Sequence, residues 1–162
     1  MQRIASLALL VLTMAAVPAV SQSVPFGGVQ SDTSAAVEVA ADNMVVNQTT
    51  GQAELTGSVL IAQGEMRLSA DHVLVTYDAQ DKSRISTLDA TGNVTLVQGS
   101  DAAEAEQGVY EVATGLVTLT GNVLVTQGEN VMSGEKIVVN LADGTAQASG
   151  RVRTTLQPGS TQ

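Results

Sequence analysis

The sequence predicts an all-β fold, stacked antiparallel strands in two facing layers built from units of about 29 residues. Three observations carry this. Thr-Gly or Ser-Gly pairs end at Gly57, Gly92, Gly121 and Gly150, at intervals of 35, 29 and 29 residues. Between them, apolar side chains alternate with polar ones at period two, the spacing of a strand with one face buried. The apolar mass is Val, Leu, Ile, Met and Ala, with one Phe, two Tyr and no Trp, which suits a narrow stack better than a spherical core.

The first element is a separate object. Met1 to Arg3 is basic, Ile4 to Val17 is almost wholly apolar, and Ala19 or Ser21 offers a small residue for cleavage. This is the layout of a secretory signal peptide, assigned to residues 1–21, and it is too short for a good membrane span. Without Arg3 the remainder carries 16 acidic against 6 basic residues, which argues against a nucleic-acid partner. It has no cysteine, so an exported chain must rely on backbone pairing and packing rather than disulfides.

Residues 22–34 (QSVPFGGVQSDTS) read as an extended arm, residues 35–156 as one domain, and residues 157–162 (QPGSTQ) as a flexible tail. Within the domain each glycine is followed by an apolar alternation: Val59 and Ile61, Val94 and Leu96, Val123 and Val125, with Val152 in the equivalent place. Ala53 and Leu55, Leu88 and Ala90, Val117 and Leu119, and Ala146 and Ala148 precede them, also two apart. Val, Thr and Gly throughout disfavour helix. The Gln-Gly pairs ending at Gly64, Gly99 and Gly128 mark turns, as do Gly51, Gly115 and Gly144. Gly92–Asn93 and Gly121–Asn122 are further expected corners, and the longer interval is supplied by a charged loop from Asp78 to Arg84. The expected total is about 12 to 16 short strands.

Asp42, Asp71, Glu106 and Glu135 form an acidic column fourteen residues after the glycines or one period before. On neighbouring strands they would stand roughly 5 Å apart along one corner, where like charges mildly repel. The loops lack the dense Asp/Asn clusters that a hard cation needs, and one histidine, His72, cannot build a zinc site, so no metal or cofactor is expected. There is no G-x-S-x-G elbow and no phosphate loop, so an enzyme is not expected. Glu54, Gln63, Arg67, Gln98, Glu111, Gln127 and Lys136 fall to the polar columns or turns.

Three phrases carry a resemblance: ADNMVVNQTTGQAELTGSVLIAQGEMRLSADHVLVTY, ISTLDATGNVTLVQG and TGLVTLTGNVLVTQGENVMSGEKIVVN. The thrice-written T-G-x-V-x-(V/I/L)-x-Q-G resembles the LptA/OstA family of periplasmic lipopolysaccharide-transport proteins, over residues 37–156. The resemblance implies a twisted β-jellyroll in the periplasm whose interior holds the acyl chains of lipid A. It implies as partners an inner-membrane LptC-type protein and an outer-membrane LptD-type translocon, with head-to-tail self-association possible. By position, Val37 and Val39 match the apolar pair on the family's first strand; the family's usual proline before it is Ala36 here, and the C-terminal extension of some members is nearly absent.

The expected lipid-lining residues are Val37, Val39, Met44, Val46, Leu55, Val59, Ile61, Leu68, Val73, Val75, Val94, Leu96, Val123 and Val125. The alternative is an adaptor domain with a closed, dry core that works only by edge-strand pairing. Either way, open strand ladders are expected at the N-terminal edge, around Val37 to Val46, and at the C-terminal edge, around Ala146 to Leu156.

Overall fold

The computed structural model describes residues 22–26 and 32–156. The expected signal peptide 1–21, the middle of the arm at 27–31 and the expected tail 157–162 lie outside the described residues. The described strands are β1 (Gln22–Pro25), β2 (Glu38–Ala40), β3 (Asn43–Asn47), β4 (Gln52–Gln63), β5 (Met66–Tyr77), β6 (Ile85–Gln98), β7 (Asp101–Glu111), β8 (Leu116–Gln127), β9 (Asn130–Asn140), β10 (Thr145–Ser149) and β11 (Arg153–Thr155). All pair antiparallel in one sheet of order β1-β10-β9-β8-β7-β6-β5-β4-β2, with β3 also on β4 and β11 also on β9. The fold is the all-β, two-layered antiparallel stack of a β-jellyroll.

Among the described residues the strands are fewer and longer than expected, because the Thr-Gly pairs ending at Gly57, Gly92 and Gly121 lie inside strands rather than between them. Ladder pairing breaks at Thr56/Val59 in β4, at Thr91/Val94 in β6 and at Thr120/Val123 in β8. At each break two successive residues take positive φ: Gly57 and Ser58, Gly92 and Asn93, Gly121 and Asn122. Glycine and asparagine tolerate that region, and a bulge there bends the strand. Gly150 and Arg151 repeat the device between β10 and β11, so β10 and β11 act as one bent strand, as do β2 and β3 about Asp42.

Each long strand therefore contributes one half to each layer. Residues 52–56, 72–77 and 107–111 belong to the first layer, with β3 and β10; residues 59–63, 66–70 and 101–105 belong to the second, with β2 and β11. The kinks form the closed side. Hairpin turns around Gly51, Gly115 and Gly144, and around Gly64, Gly99 and Gly128, form the two rims of the open side. The loop from Asp78 to Arg84 caps itself: Asp78 Oδ1 accepts the amides of Gln80 and Asp81, and Asp81 Oδ1 accepts the Ser83 amide and hydroxyl. Those donors hold both carboxyls below the usual carboxylate range.

The arm is a seam. Phe26 is buried, and its amide donates to Gly144 O at 2.7 Å. Gln127 Nε2 donates to Pro25 O at 3.3 Å, which ties that end of the arm to the opposite rim. Farther along, Asp32 packs at Gly64 and Thr33 at Gly115, one from each rim. The described parts of the arm thus bridge the two rims at both places where they are seen.

Candidate functional site

The inner face is made of ladders that run across the whole sheet. In the first layer, Met44, Leu55, Val73, Ala90, Gly108, Leu119, Ile137 and Ala148 are successive partners. A second ladder there joins Val46, Ala53, Val75, Leu88, Tyr110, Val117, Val139 and Ala146. In the second layer, Val39, Ile61, Leu68, Leu96, Ala103, Val125, Met132 and Thr154 do the same. The two-residue bulges keep the parity of each strand, so one apolar face continues through the bend.

Of the expected lining residues, Leu55, Val59, Ile61, Leu68, Val73, Val75, Val94, Leu96, Val123 and Val125 are at most 4 % exposed. They pack layer against layer in one cluster, with Val37 and Val39 half-buried beside it. Met44 and Val46 share the inner face by register with Leu55 and Ala53, yet they are 56 % and 54 % exposed. Val152 and Leu156 lie exposed at the other end, flanking the last strand on either side. The interior is thus packed along its length, while apolar side chains stand open at both edges.

Three polar residues belong to the inner side, two of them glutamines expected in the polar columns or turns. Gln63, Gln98 and Asp101 are buried, so the two glutamines do not lie in the outward columns. The parity signal was available: Gln63 continues Val59 and Ile61, and Gln98 continues Val94 and Leu96. Their ladder, Gln63, Met66, Gln98, Asp101, Gln127 and Asn130, lines the rim of the second layer. Tyr110, from the first layer, donates its hydroxyl to Gln63 Oε1. Gln63 Nε2 donates onward to Thr33 O at 2.8 Å and Ala35 O at 2.9 Å. Gln127 Nε2 donates to Asp101 Oδ2 at 2.7 Å. A buried polar group persists only when it finds partners, so this row fastens the rims and the arm together.

The acidic column has a different geometry from the one expected. Its members sit on alternate strands, each beside a kinked one, which sets them roughly 10 Å apart, two strand spacings rather than one. A Cβ on Gly57, Gly92, Gly121 or Gly150 would stand 2.5–2.7 Å from a carboxylate oxygen of Asp42, Asp71, Glu106 or Glu135 respectively. Each acid therefore covers a bare Cα at a kink. Asn93 Nδ2 donates to Asp71 Oδ2 at 2.7 Å, Asn122 Nδ2 to Glu106 Oε1 at 2.5 Å, and Arg151 Nε to Glu135 Oε1 at 2.8 Å. At these three kinks the positive-φ residue after the glycine thus holds the acid in place. All four acids are exposed, as solvated corner residues are.

His72 lies on the outer face, half-buried, with Nε2 2.8 Å from Glu54 Oε1. Among the described residues, no group of three or more His, Cys, Asp or Glu could hold a metal ion.

A family model described as "LptA/(LptD N-terminal domain) LPS transport protein" matches residues 38–145. The chain belongs to this family. It is a family of transport proteins, not of enzymes. Among solved structures, the chain is similar to LptH of Pseudomonas aeruginosa, described as the LptA homologous periplasmic component of the conserved lipopolysaccharide transport device. The two share 23 % identity with a TM-score of 0.71, over 79 % of this chain and 99 % of that one, which establishes a common fold. No curated protein matches this chain significantly. The matched span of the family model, 38–145, begins at β2 and ends at the first residue of β10.

Proposed function

We propose that this chain is a non-catalytic periplasmic carrier of lipopolysaccharide, one unit of a bridge that shields acyl chains between the inner and outer membranes. The observation that carries the reading is the inner apolar face, whose ladders run from Met44 and Val46 at one open edge through the buried cluster to Ile137 and Val139 on β9 and Ala146 and Ala148 on β10. Acyl chains need a dry aliphatic surface and no particular polar partner, which is what these ladders offer. Membership of the transport family supports the same conclusion.

Entry of acyl chains requires the layers to part, because the lining residues are packed against each other. The closed side is a row of kinks, so the rims are the side that can open. The fasteners there are the Tyr110–Gln63 bond and the arm that Gln63 holds. The ends suit joining to a similar domain. Acid-bearing and kinked strands alternate from Asp42 at the N-terminal edge to Gly150 at the C-terminal edge, so the next strand in the pattern is an acid-bearing one. An LptC-type partner would then meet the β2–β3 edge, and an LptD-type partner or a second copy the β10–β11 edge.

A photo-crosslinking residue at Met44 or Ile61, compared with one at Glu54, tests the path with purified lipopolysaccharide. Inner positions should label and Glu54 should not; equal labelling on both faces would defeat the reading. The packed interior favours a second reading, an adaptor with a closed core that acts only through its edges. Saturable binding of a fluorescent fatty acid would exclude that alternative.

A further inference from the structure

The C-terminal edge is half occupied by the chain's own beginning. β1 pairs antiparallel with β10, Gln22 opposite Ala148, Ser23 opposite Gln147, Val24 opposite Ala146 and Pro25 opposite Thr145. Among the described residues β11 pairs only with β9, and no described strand lies on its outer edge. We propose that β1 is a displaceable cap: a second copy joins this edge by replacing β1 with its own β2–β3 strand.

This rests on the end-to-end reading above and adds what regulates it. The geometry of the competitor matches the site. β10 and β11 have five and three residues, β3 and β2 have five and three, and each pair is split by a kink or an acid between the layers. Antiparallel pairing sets β3 of the incoming copy on β10 and β2 on β11, with Asp42 arriving at Gly150. That repeats the relation of Asp71 to Gly92 and of Glu106 to Gly121 inside the chain. β1 supplies a partner only for the five-residue half, and it contributes no acid at Gly150.

β1 is also built to peel. It is four residues long and ends in Pro25, which has no N–H to give to the ladder. Phe26, directly after it, is buried in the core and bonded to Gly144 O, so the chain stays anchored while the strand before it leaves. A capped edge is protected from indiscriminate pairing, and the cap lowers the apparent affinity for a true partner by the fraction of time the edge is free.

Three forms of the chain from Val20 onward test this by sedimentation equilibrium: the parent, a form in which Pro25 is the first residue, and S23C/Q147C. The register sets positions 23 and 147 opposite each other, within reach of a disulfide, and the chain has no other cysteine. The shortened form should self-associate roughly tenfold more tightly than the parent. Oxidised S23C/Q147C should associate at least roughly tenfold more weakly, and reduction should restore the parental value. Equal association in all three forms would overturn the cap and leave the end-to-end reading standing. A monomer in every form, the shortened one included, would overturn both.

Discussion

The Tyr110 hydroxyl donates to Gln63 Oε1 across the two layers, from residues 47 positions apart in the chain. Tyr110 is fully buried, and Gln63 uses its amide nitrogen to hold the backbone of Thr33 and Ala35. Y110F keeps the ring and removes the donor, leaving Gln63 Oε1 buried without it. The expected loss is about 1–3 kcal/mol of unfolding free energy, read by urea denaturation. An unchanged midpoint would show that the rim is not fastened there.

The same tyrosine sets a pH dependence. Burial pushes its phenol from 10.0 up to about 12, because the phenolate would lose its hydration inside the fold. The folded state therefore keeps a proton that the unfolded chain releases. Stability from this group is fully present below about pH 10 and is lost as pH rises from about 10 through 12, by about 2–3 kcal/mol. Y110F should lack this decline, so denaturation midpoints at pH 9 and pH 11.5 should differ more for the parent than for the variant. Parallel losses in both proteins would remove Tyr110 from the explanation.

A glycine kink tests the role of the acidic column. Gly92 has φ of 78°, and a Cβ there would stand 2.7 Å from Asp71 Oδ2. G92A should cost about 2–3 kcal/mol, combining left-handed strain with the clash. In a D71A background the carboxylate is gone, and the cost of G92A should fall to the strain alone, about 1–2 kcal/mol. A double-mutant cycle on thermal unfolding measures the difference, and strict additivity would mean that the acid and the glycine are independent.

The register was legible because the side-chain period is two and the glycines repeat. Met44, Val73 and Ile137 each stand two residues after an acid of the column, and they share one ladder, with Leu55, Ala90, Gly108 and Leu119 between them. What the pattern could not distinguish was a glycine that ends a strand from one that bends it, since positive φ serves both. Gly57 and Gly64 read alike in the sequence, yet one is a kink and the other a hairpin turn. Gln63 and Gln98 are expected in polar columns or turns from their polarity, although their parity sets them inside, where Tyr110, Thr33 and Ala35 supply hydrogen-bond partners to Gln63. The pairing of Gln22–Pro25 with β10 joins the two ends of the chain and leaves no periodic trace, so nothing in the repeat announced it.

Packing of the interior has its own test at Leu96. It lies between Leu68 and Ala103 in the second-layer ladder and is fully buried. L96A leaves a cavity in an interior whose walls are held by long ladders, so it should cost about 2–5 kcal/mol. A loss below about 1 kcal/mol in chemical denaturation would show that the layers collapse onto one another and are not held apart by the kinks.

The open N-terminal edge separates folding from assembly. Met44 and Val46 point to the inner side by register but are more than half exposed, since among the described residues no strand beyond β3 covers them. Aspartate at either position remains in water in the monomer, so M44D and V46D should alter stability by no more than about 0.5 kcal/mol. In an end-to-end assembly the same side chains would be covered by the next domain, and a carboxylate left there without a partner is costly. Association with a second copy should therefore weaken by at least roughly tenfold, with thermal unfolding unchanged. If both variants associate as the parent does, the apolar side chains of β3 do not continue into the neighbour, and the shared inner face must end at each domain.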